Sequence, residues 1–230
     1  MPIALVTGTS RGLGLALAER LLAEGWTVHG FARSPQTLAH PSFCAHAVDV
    51  GDESAVQSAV AAVLRESGRI DLLVNNAGGA AMNAILLTPG SQAAELMRVN
   101  YLGTFHCLQA VGKAMVRQRA GTIVNLTSVA VPVALEGEAA YVASKAAVEA
   151  LTRVAGAELA PHGVRVCAVG LGPVDTDLTR AVPRAKLAEL NVRIGRPSGT
   201  TVAEAVAFVA SEWSTPGSAS GSVRYLAELP

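Results

Sequence analysis

At 230 residues, half of them hydrophobic and 16% charged, the chain is long enough to bury one large core and too apolar to be a solvated or disordered polypeptide. Its 18 Lys and Arg balance 18 Asp and Glu, so there is no electrostatic case for nucleic acid or an anionic membrane as a partner, and a small molecule becomes the default ligand. Cys44, Cys107 and Cys167 are far apart, in apolar surroundings and without CxxC or ligand-like His spacing; they read as core thiols in a reducing cytosol, with no metal site expected.

The N-terminus runs Met-Pro-Ile-Ala-Leu-Val into a glycine turn, lacking the basic start and apolar stretch of a signal peptide. No apolar segment approaches the roughly 20 residues of a membrane span. A soluble, cytoplasmic protein is expected. Short β-branched runs then alternate with longer Ala- and Leu-rich stretches, which is the pattern of βαβ units. Strands are predicted at Ile3 to Thr7, Thr27 to Ala32, Ala45 to Val50, Leu72 to Asn75, Thr122 to Thr127, Arg165 to Gly170 and, more weakly, Val223 to Leu226. Helices are predicted to begin near Gly12, Glu53, Ser91, Ala139 and Thr201. Ser34 to His40 is too short for a covering helix and is read as a turn or a single helical turn. From Pro173 to Pro197 prolines punctuate two short amphipathic pieces, and 174–197 reads as a lid over a site. The expected fold is one α/β domain over residues 1–230, Rossmann-like and doubly wound, with a seven-stranded, mostly parallel sheet flanked by helices.

The first strand enters Thr7-Gly8-Thr9-Ser10-Arg11-Gly12-Leu13-Gly14 and a helix follows at once. Glycines there permit a sharp turn and close approach to a pyrophosphate, which the free amides of the helix N-terminus stabilise. Folds that favour NAD place a carboxylate at the end of the second strand, to bond the ribose 2′-hydroxyl. Here that strand ends Phe31-Ala32-Arg33, and Arg11 lies in the turn itself. Two guanidinium groups suit a 2′-phosphate, so NADP(H) is preferred over NAD(H). Asp49, followed by Val50, is placed either to bond an adenine edge or to cap the next helix beside Asp52 and Glu53.

Tyr141 and Lys145 are one helical turn apart and share a face. A phenol with pKa near ~10 is a poor base at neutral pH, but a neighbouring ammonium favours phenolate. Ser128 ends the fifth strand, at the edge where α/β folds bind ligands. No His or carboxylate is arranged to make it a nucleophile, so a hydrolase reading leaves Tyr141 and Lys145 unexplained.

The glycine turn, Asn75-Asn76-Ala77-Gly78, Asn100 in Arg98-Val99-Asn100, Ser128, and Tyr141 with Lys145 occur in an order that resembles the short-chain dehydrogenase/reductase family, in particular its 3-oxoacyl-carrier-protein reductase-like members, over nearly the whole chain. The resemblance implies that Tyr141 exchanges a proton with a carbonyl oxygen held by Ser128, while hydride passes between nicotinamide and the carbonyl carbon. It implies that Lys145 binds the nicotinamide ribose and lowers the Tyr141 pKa, and that Asn100 positions a water that relays protons to Lys145. It further implies that Asn75, Asn76, Ala77 and Gly78 border the cofactor, as do Gly172, Val174 and Thr176 on the far side, with Thr176 at the carboxamide. Asp71 and Asn125 are expected to satisfy backbone or structural hydrogen bonds. Leu171 stands where the family usually has proline, and the tail lacks the family's glycine pair. A homo-oligomer, dimer or tetramer, is implied.

Substrate selectivity is expected from Gly79 to Asn83, Val129 to Glu138 and the lid. Glu136 and Glu138 would disfavour an anionic substrate if turned inward and are otherwise solvated. The rival reading is a dinucleotide-binding sensor or scaffold without turnover, against which the intact Ser128, Tyr141 and Lys145 argue. An epimerase or dehydratase on this fold would need a larger substrate-binding region.

Overall fold

The computed structural model describes residues 1–176, 179, 182, 184–214 and 218–229. Seven strands form one sheet: β1 Ile3–Thr7, β2 Thr27–Ala32, β3 Phe43–Ala47, β4 Leu72–Asn75, β5 Gly121–Ser128, β6 Val164–Leu171 and β7 Val223–Tyr225. Their order is β3-β2-β1-β4-β5-β6-β7, and every paired neighbour is parallel. The chain winds outward from β1 to β3, then returns to the other side of β1 with β4. That reversal opens a crevice beyond the carboxyl ends of β1 and β4, where folds of this kind bind ligands.

Between the strands run α1 Gly12–Ala23, α2 Glu53–Ser67, α3 Gly90–Leu96, α4 Gly103–Gln118, the single turn α5 Ala130–Val133, α6 Ala139–Leu159, α7 Arg184–Arg193 and α8 Val202–Ser214. Sheet residues alternate sides, so Ala4, Val6, Val74, Val124 and Val169 pack against α1 and α8. Leu5, Phe31, Leu73, Ile123 and Val166 pack against α2, α4 and α6. Helix starts follow local chemistry. Asp52 caps α2 by accepting from Ala55 N at 3.0 Å. Thr201 and Glu204 form a reciprocal capping box, Glu204 N to Thr201 Oγ1 at 3.2 Å and Thr201 N to Glu204 Oε2 at 2.8 Å, which puts the first helical residue of α8 at Val202.

Several expectations shift. β3 lies two to three residues earlier than predicted, because it can pair only where β2 offers a partner: the register runs from Val28 opposite Phe43 to Ala32 opposite Ala47. Beyond it, Asp49 Oδ1 accepts from Gly51 N at 2.9 Å and turns the chain out of the sheet. Residues 34–40 contain no helical turn. Gln36 tethers them instead, donating from Nε2 to Gly30 O at 3.1 Å and His46 O at 3.2 Å. The helix predicted from Ser91 starts at Gly90 and continues through a π-helical turn, Met97–Leu102, into α4. Cys107 and Cys167 are core thiols, but Cys44 is only half-buried because β3 is the edge strand. Within the predicted lid, residues 177, 178, 180, 181 and 183 lie outside the described residues, and α7 falls in its second half.

Two buried carboxylates fasten the C-terminal strand. Glu149 accepts from Thr127 Oγ1 at 2.9 Å and Tyr225 Oη at 2.7 Å. Glu212, 1% exposed, pairs with Arg165 at 3.1 Å and Arg224 at 2.6 Å and accepts from Ser218. Burial alone would raise the Glu212 pKa, but the bonds from Ser218, Arg224 and Arg165 outweigh it and hold it below the ordinary value. A carboxyl with a lowered folded-state pKa stabilises the fold above its unfolded pKa and loses that contribution as pH falls through the folded one. Glu212→Gln is therefore expected to cost on the order of 3 kcal/mol at neutral pH, read from the urea midpoint, and to flatten the acid limb of stability against pH.

Candidate active site

The site is built from the end of β1. Thr7 Oγ1 accepts from the backbone amides of Asn76 at 3.0 Å and Ala77 at 2.9 Å, and Asn76 Nδ2 donates to Thr7 O at 2.8 Å. The loop after β4 is thus stapled to the start of the glycine turn. Gly8 has φ +78°, and a Cβ there would come within 2.7 Å of Asn76 Nδ2. A Cβ on Gly14 would run into the Gly8 carbonyl. Only glycine lets the turn fold this tightly onto the first amides of α1, whose N–H groups have no partner within the helix. α1 has no side-chain cap and no acid in its first turn, which leaves its N-terminus suited to an anion.

A cavity of about 740 Å³ runs along this crevice, within the usual range of ~300–1,000 Å³ for small-molecule sites. At one end it is lined by Ser10, Arg11, Gly12, Leu13, Gly14, Arg33, Asp49 and Val50, and farther along by Asn76, Ala77 and Gly78. Arg11 and Arg33 are both exposed at this end. Asp49 is a half-buried carboxylate in a 3.1 Å pair with Arg98, which also holds Glu95 at 2.7 Å. Burial opposes ionisation of Asp49, but the Gly51 amide and Arg98 hold its pKa down.

At the other end Ser128, Tyr141 and Lys145 line the same cavity, facing Gly172, Val174 and Thr176. Ser128 Oγ accepts from Ala130 N at 3.1 Å. Lys145 is buried and donates from Nζ to Leu126 O at 2.9 Å. Burial lowers its pKa to about 8. Burial raises that of Tyr141 to about 12, opposed by a hydrogen bond with Ser128 and reinforced by the charge of Glu138. The phenol is therefore neutral and the lysine still mostly protonated near pH 7, so the pair holds protons ready for donation.

Asn100 is fully buried behind this end, not on the cavity wall. Its Nδ2 donates to Gly79 O and Ser144 Oγ, both at 2.9 Å, and its Oδ1 accepts from Gly79 N at 2.8 Å. The extra residue of the π turn swings it into this position, binding the 78–79 loop to α6. Asn75 also departs from expectation: it is buried and bonds Asn125 Oδ1 at 2.9 Å, away from the cavity. Asp71 accepts from Ile3 N at 2.9 Å, the structural role anticipated for it. Of the two loop glutamates, Glu136 is exposed but Glu138 is half-buried, and both line the cavity. Ser34, which follows Arg33 on the cavity wall, was not singled out from the sequence, whereas Lys186, Leu190 and Arg193 reach the wall from α7, within the segment expected to be a lid. Adjacency to Arg33 was the only available signal for Ser34. α7 is held there by Leu190 and Ile194 packing on Val129 and Val133, and by Arg193 Nη2 donating to Val133 O at 2.8 Å.

Comparison with known proteins agrees with this architecture. The short chain dehydrogenase family matches residues 2–187. A 2-(R)-hydroxypropyl-CoM dehydrogenase of Xanthobacter autotrophicus is 39% identical over 93% of this chain and 92% of its own. A 3-oxoacyl-acyl-carrier-protein reductase of Staphylococcus aureus is 34% identical over 91% and 90%. The crystal structure of an NAD+-bound xylitol dehydrogenase superposes with a TM-score of 0.90 at 29% identity, covering 99% of this chain and 98% of that one.

The Asn100 side chain gives the first test. Asn100→Ala leaves the Gly79 backbone and Ser144 without their buried partner, at an expected cost of about 1–3 kcal/mol in chemical unfolding. Faster hydrogen exchange at the Gly79 amide should accompany it.

Proposed function

From the chain's membership of the short-chain dehydrogenase/reductase family we propose that it is an NADP(H)-dependent oxidoreductase interconverting a carbonyl and a secondary alcohol, with Tyr141 as general acid and base. One observation carries this reading: Ser128, Tyr141 and Lys145 share a single cavity with a glycine turn too tight for any side chain. The two curated relatives are named for opposite ends of one exchange, a hydroxypropyl dehydrogenase and an oxoacyl reductase.

The crevice fits a dinucleotide, because the turn at Gly8 and Gly14 keeps clear the space a Cβ would fill. Gly12, Leu13 and Gly14 would receive the pyrophosphate at the start of α1, and Ala77 and Gly78 would flank the nicotinamide half. Arg11, Arg33 and the Ser34 hydroxyl would take a 2′-phosphate, and Asp49 and Val50 would border the adenine. When bound, the nicotinamide supplies or accepts the hydride exchanged with the substrate carbon.

Ser128 holds the substrate oxygen by its hydroxyl. In reduction, Tyr141 Oη gives its proton to that oxygen, and its raised pKa keeps the proton in place until the oxygen becomes basic. In oxidation the phenolate takes the proton back, and the ammonium of Lys145 lowers the cost of that anion. Asn100 acts at one remove, fixing the 78–79 loop and α6 with which Lys145 must align. The mostly apolar wall from Met82, Leu135 and Leu190 excludes water, while Glu138 beside Tyr141 weighs against a substrate with an anionic group next to its carbonyl. Leu102 and Val154, 39% and 56% exposed, offer apolar surface to a second copy, which supports a homo-oligomer; no helix among the described residues is long and apolar enough to cross a membrane, and we place the enzyme in the cytoplasm.

NADPH oxidation with a panel of ketones and aldehydes should fall about 10²- to 10⁴-fold in Tyr141→Phe with NADPH affinity retained; unchanged turnover sinks the mechanism. Because reduction needs the neutral phenol and oxidation the phenolate, reduction should decline and oxidation rise as pH increases. Lys145→Met should push both limbs to higher pH. For the cofactor, Arg33→Ala should remove a charged hydrogen bond worth about 1.5–3 kcal/mol, weakening NADPH roughly 10- to 100-fold and leaving NADH binding unchanged. Equal affinity of the native protein for both dinucleotides would refute the preference.

A further inference from the structure

A polar cluster that this chemistry does not use lies at the outer edge of the sheet. β2 and β3 pair with His29 opposite Cys44, and strand alternation places Cys44 and His46 on one face. His29 is fully buried in a layer otherwise made by apolar groups such as Leu5, Phe31 and Val63. α2 ends over it with Glu66 and Ser67. One ring nitrogen of His29, the Cys44 Sγ and a carboxylate oxygen of Glu66 all lie within 4.8 Å of one another. The Cys44 thiol donates to Glu66 Oε1 at 3.7 Å. His29 Nδ1 is 3.0 Å from His46 Nε2, and His29 Nε2 is 2.9 Å from Ser67 Oγ.

We propose that His29, Cys44 and Glu66 bind a divalent transition-metal ion of the zinc class, with His46 or a water in the fourth position. Thiolate, imidazole and carboxylate are the donors such ions take in tetrahedral sites. Ligand atoms about 2.3 and 2.0 Å from a tetrahedral centre stand roughly 3.5 Å apart, close to the 3.7 Å between Cys44 Sγ and Glu66 Oε1. Glu66 is exposed, so rotation of its side chain closes the rest of the gap. Ser67 supplies the outer hydrogen bond that ligating histidines need: with His29 Nδ1 turned to the metal, Nε2–H points at Ser67 Oγ and the tautomer is set. Binding breaks the Cys44 S–H bond, forms a sulfur–metal bond and releases the proton to solvent, without electron transfer. The ion would clamp edge strand β3 to β2 and α2. Those two strands lead to Asp49 and Arg33, so the clamp braces the Arg33 end of the cavity from behind.

The test is a Co2+ titration of the reduced full-length chain, followed by absorbance. One equivalent should bind, with a thiolate-to-cobalt charge-transfer band in the near ultraviolet and the d–d bands of a tetrahedral ion, and Zn2+ should displace it. Cys44→Ser should abolish the charge-transfer band, and Glu66→Gln should weaken binding roughly tenfold or more. Zn2+ should raise the Tm of the native chain and not that of Cys44→Ser. Both substitutions lie at half-buried or exposed positions, and circular dichroism establishes that each variant is folded. The proposal is overturned if the folded native chain gives no saturable band, if the band survives Cys44→Ser, or if Glu66→Gln leaves affinity unchanged, since the carboxylate would then not be a ligand.

Discussion

The crevice exists because the sheet divides at β1, and the Thr7 hydroxyl governs how far it divides. Once β1 and β4 end, their chains leave in opposite directions, and only directional bonds keep the two exits in register. Thr7 Oγ1 and the Asn76 side chain supply these bonds across the boundary. The tolerance is small. A shift of a few tenths of an ångström between the exits would either close the Gly8 and Gly14 approach or pull the Asn76 loop away from α1. The glycine turn and the Asn76 to Gly78 loop, which would meet the pyrophosphate and the nicotinamide half, hang from these two exits.

Burial tunes the chemistry as well as the shape. Removing Tyr141 and Lys145 from water favours the uncharged form of each, which moves their pKa values apart, that of Tyr141 up to about 12 and that of Lys145 down to about 8. With the ammonium the stronger acid of the two, a phenolate at Tyr141 would recover a proton from Lys145 downhill. The opposing influences on Tyr141, Ser128 lowering and Glu138 raising, come from the ends of β5 and α6, so the geometry of these termini also sets its proton affinity.

The parts of this arrangement legible in the sequence are those set by local rules. The glycine turn is a backbone requirement, the Tyr141–Lys145 spacing is one helical turn, and Ser128 follows from where a strand ends. β1, β2 and β4 were legible to the residue because both faces of a central parallel strand are apolar. β3 was misplaced because an edge strand is only partly buried, and its limits are set by β2 rather than by its own composition. The π turn has no local signature, so the buried placement of the Asn100 side chain, off the cavity wall and bonded to Gly79 and Ser144, was not legible. Asn75 was assigned to the cofactor from its neighbours in Asn75-Asn76-Ala77-Gly78, but it is the last residue of β4, buried and bonded to Asn125, and only Asn76 to Gly78, past the end of the strand, reach the cavity.

α6 shows why the site needs polar packing. The face it turns inward carries Ser144, Lys145, Val148, Glu149, Thr152, Ala155 and Gly156, spaced as a buried helical stripe but mostly hydrophilic. A hydrophobic stripe would allow a helix to slide or roll by a fraction of a turn at little cost, because apolar contact is non-directional. Here Ser144 is held by Asn100, Lys145 by Leu126 O, Glu149 by Thr127 and Tyr225, and Thr152 by Asn125. Each bond has a short range and a preferred angle, and together they fix both the rotation and the height of α6 over β5. Tyr141 itself makes few such bonds, as it must if its hydroxyl is to be available to a substrate. Its position is inherited from the four residues behind it, each of which is anchored to the protein without any ligand.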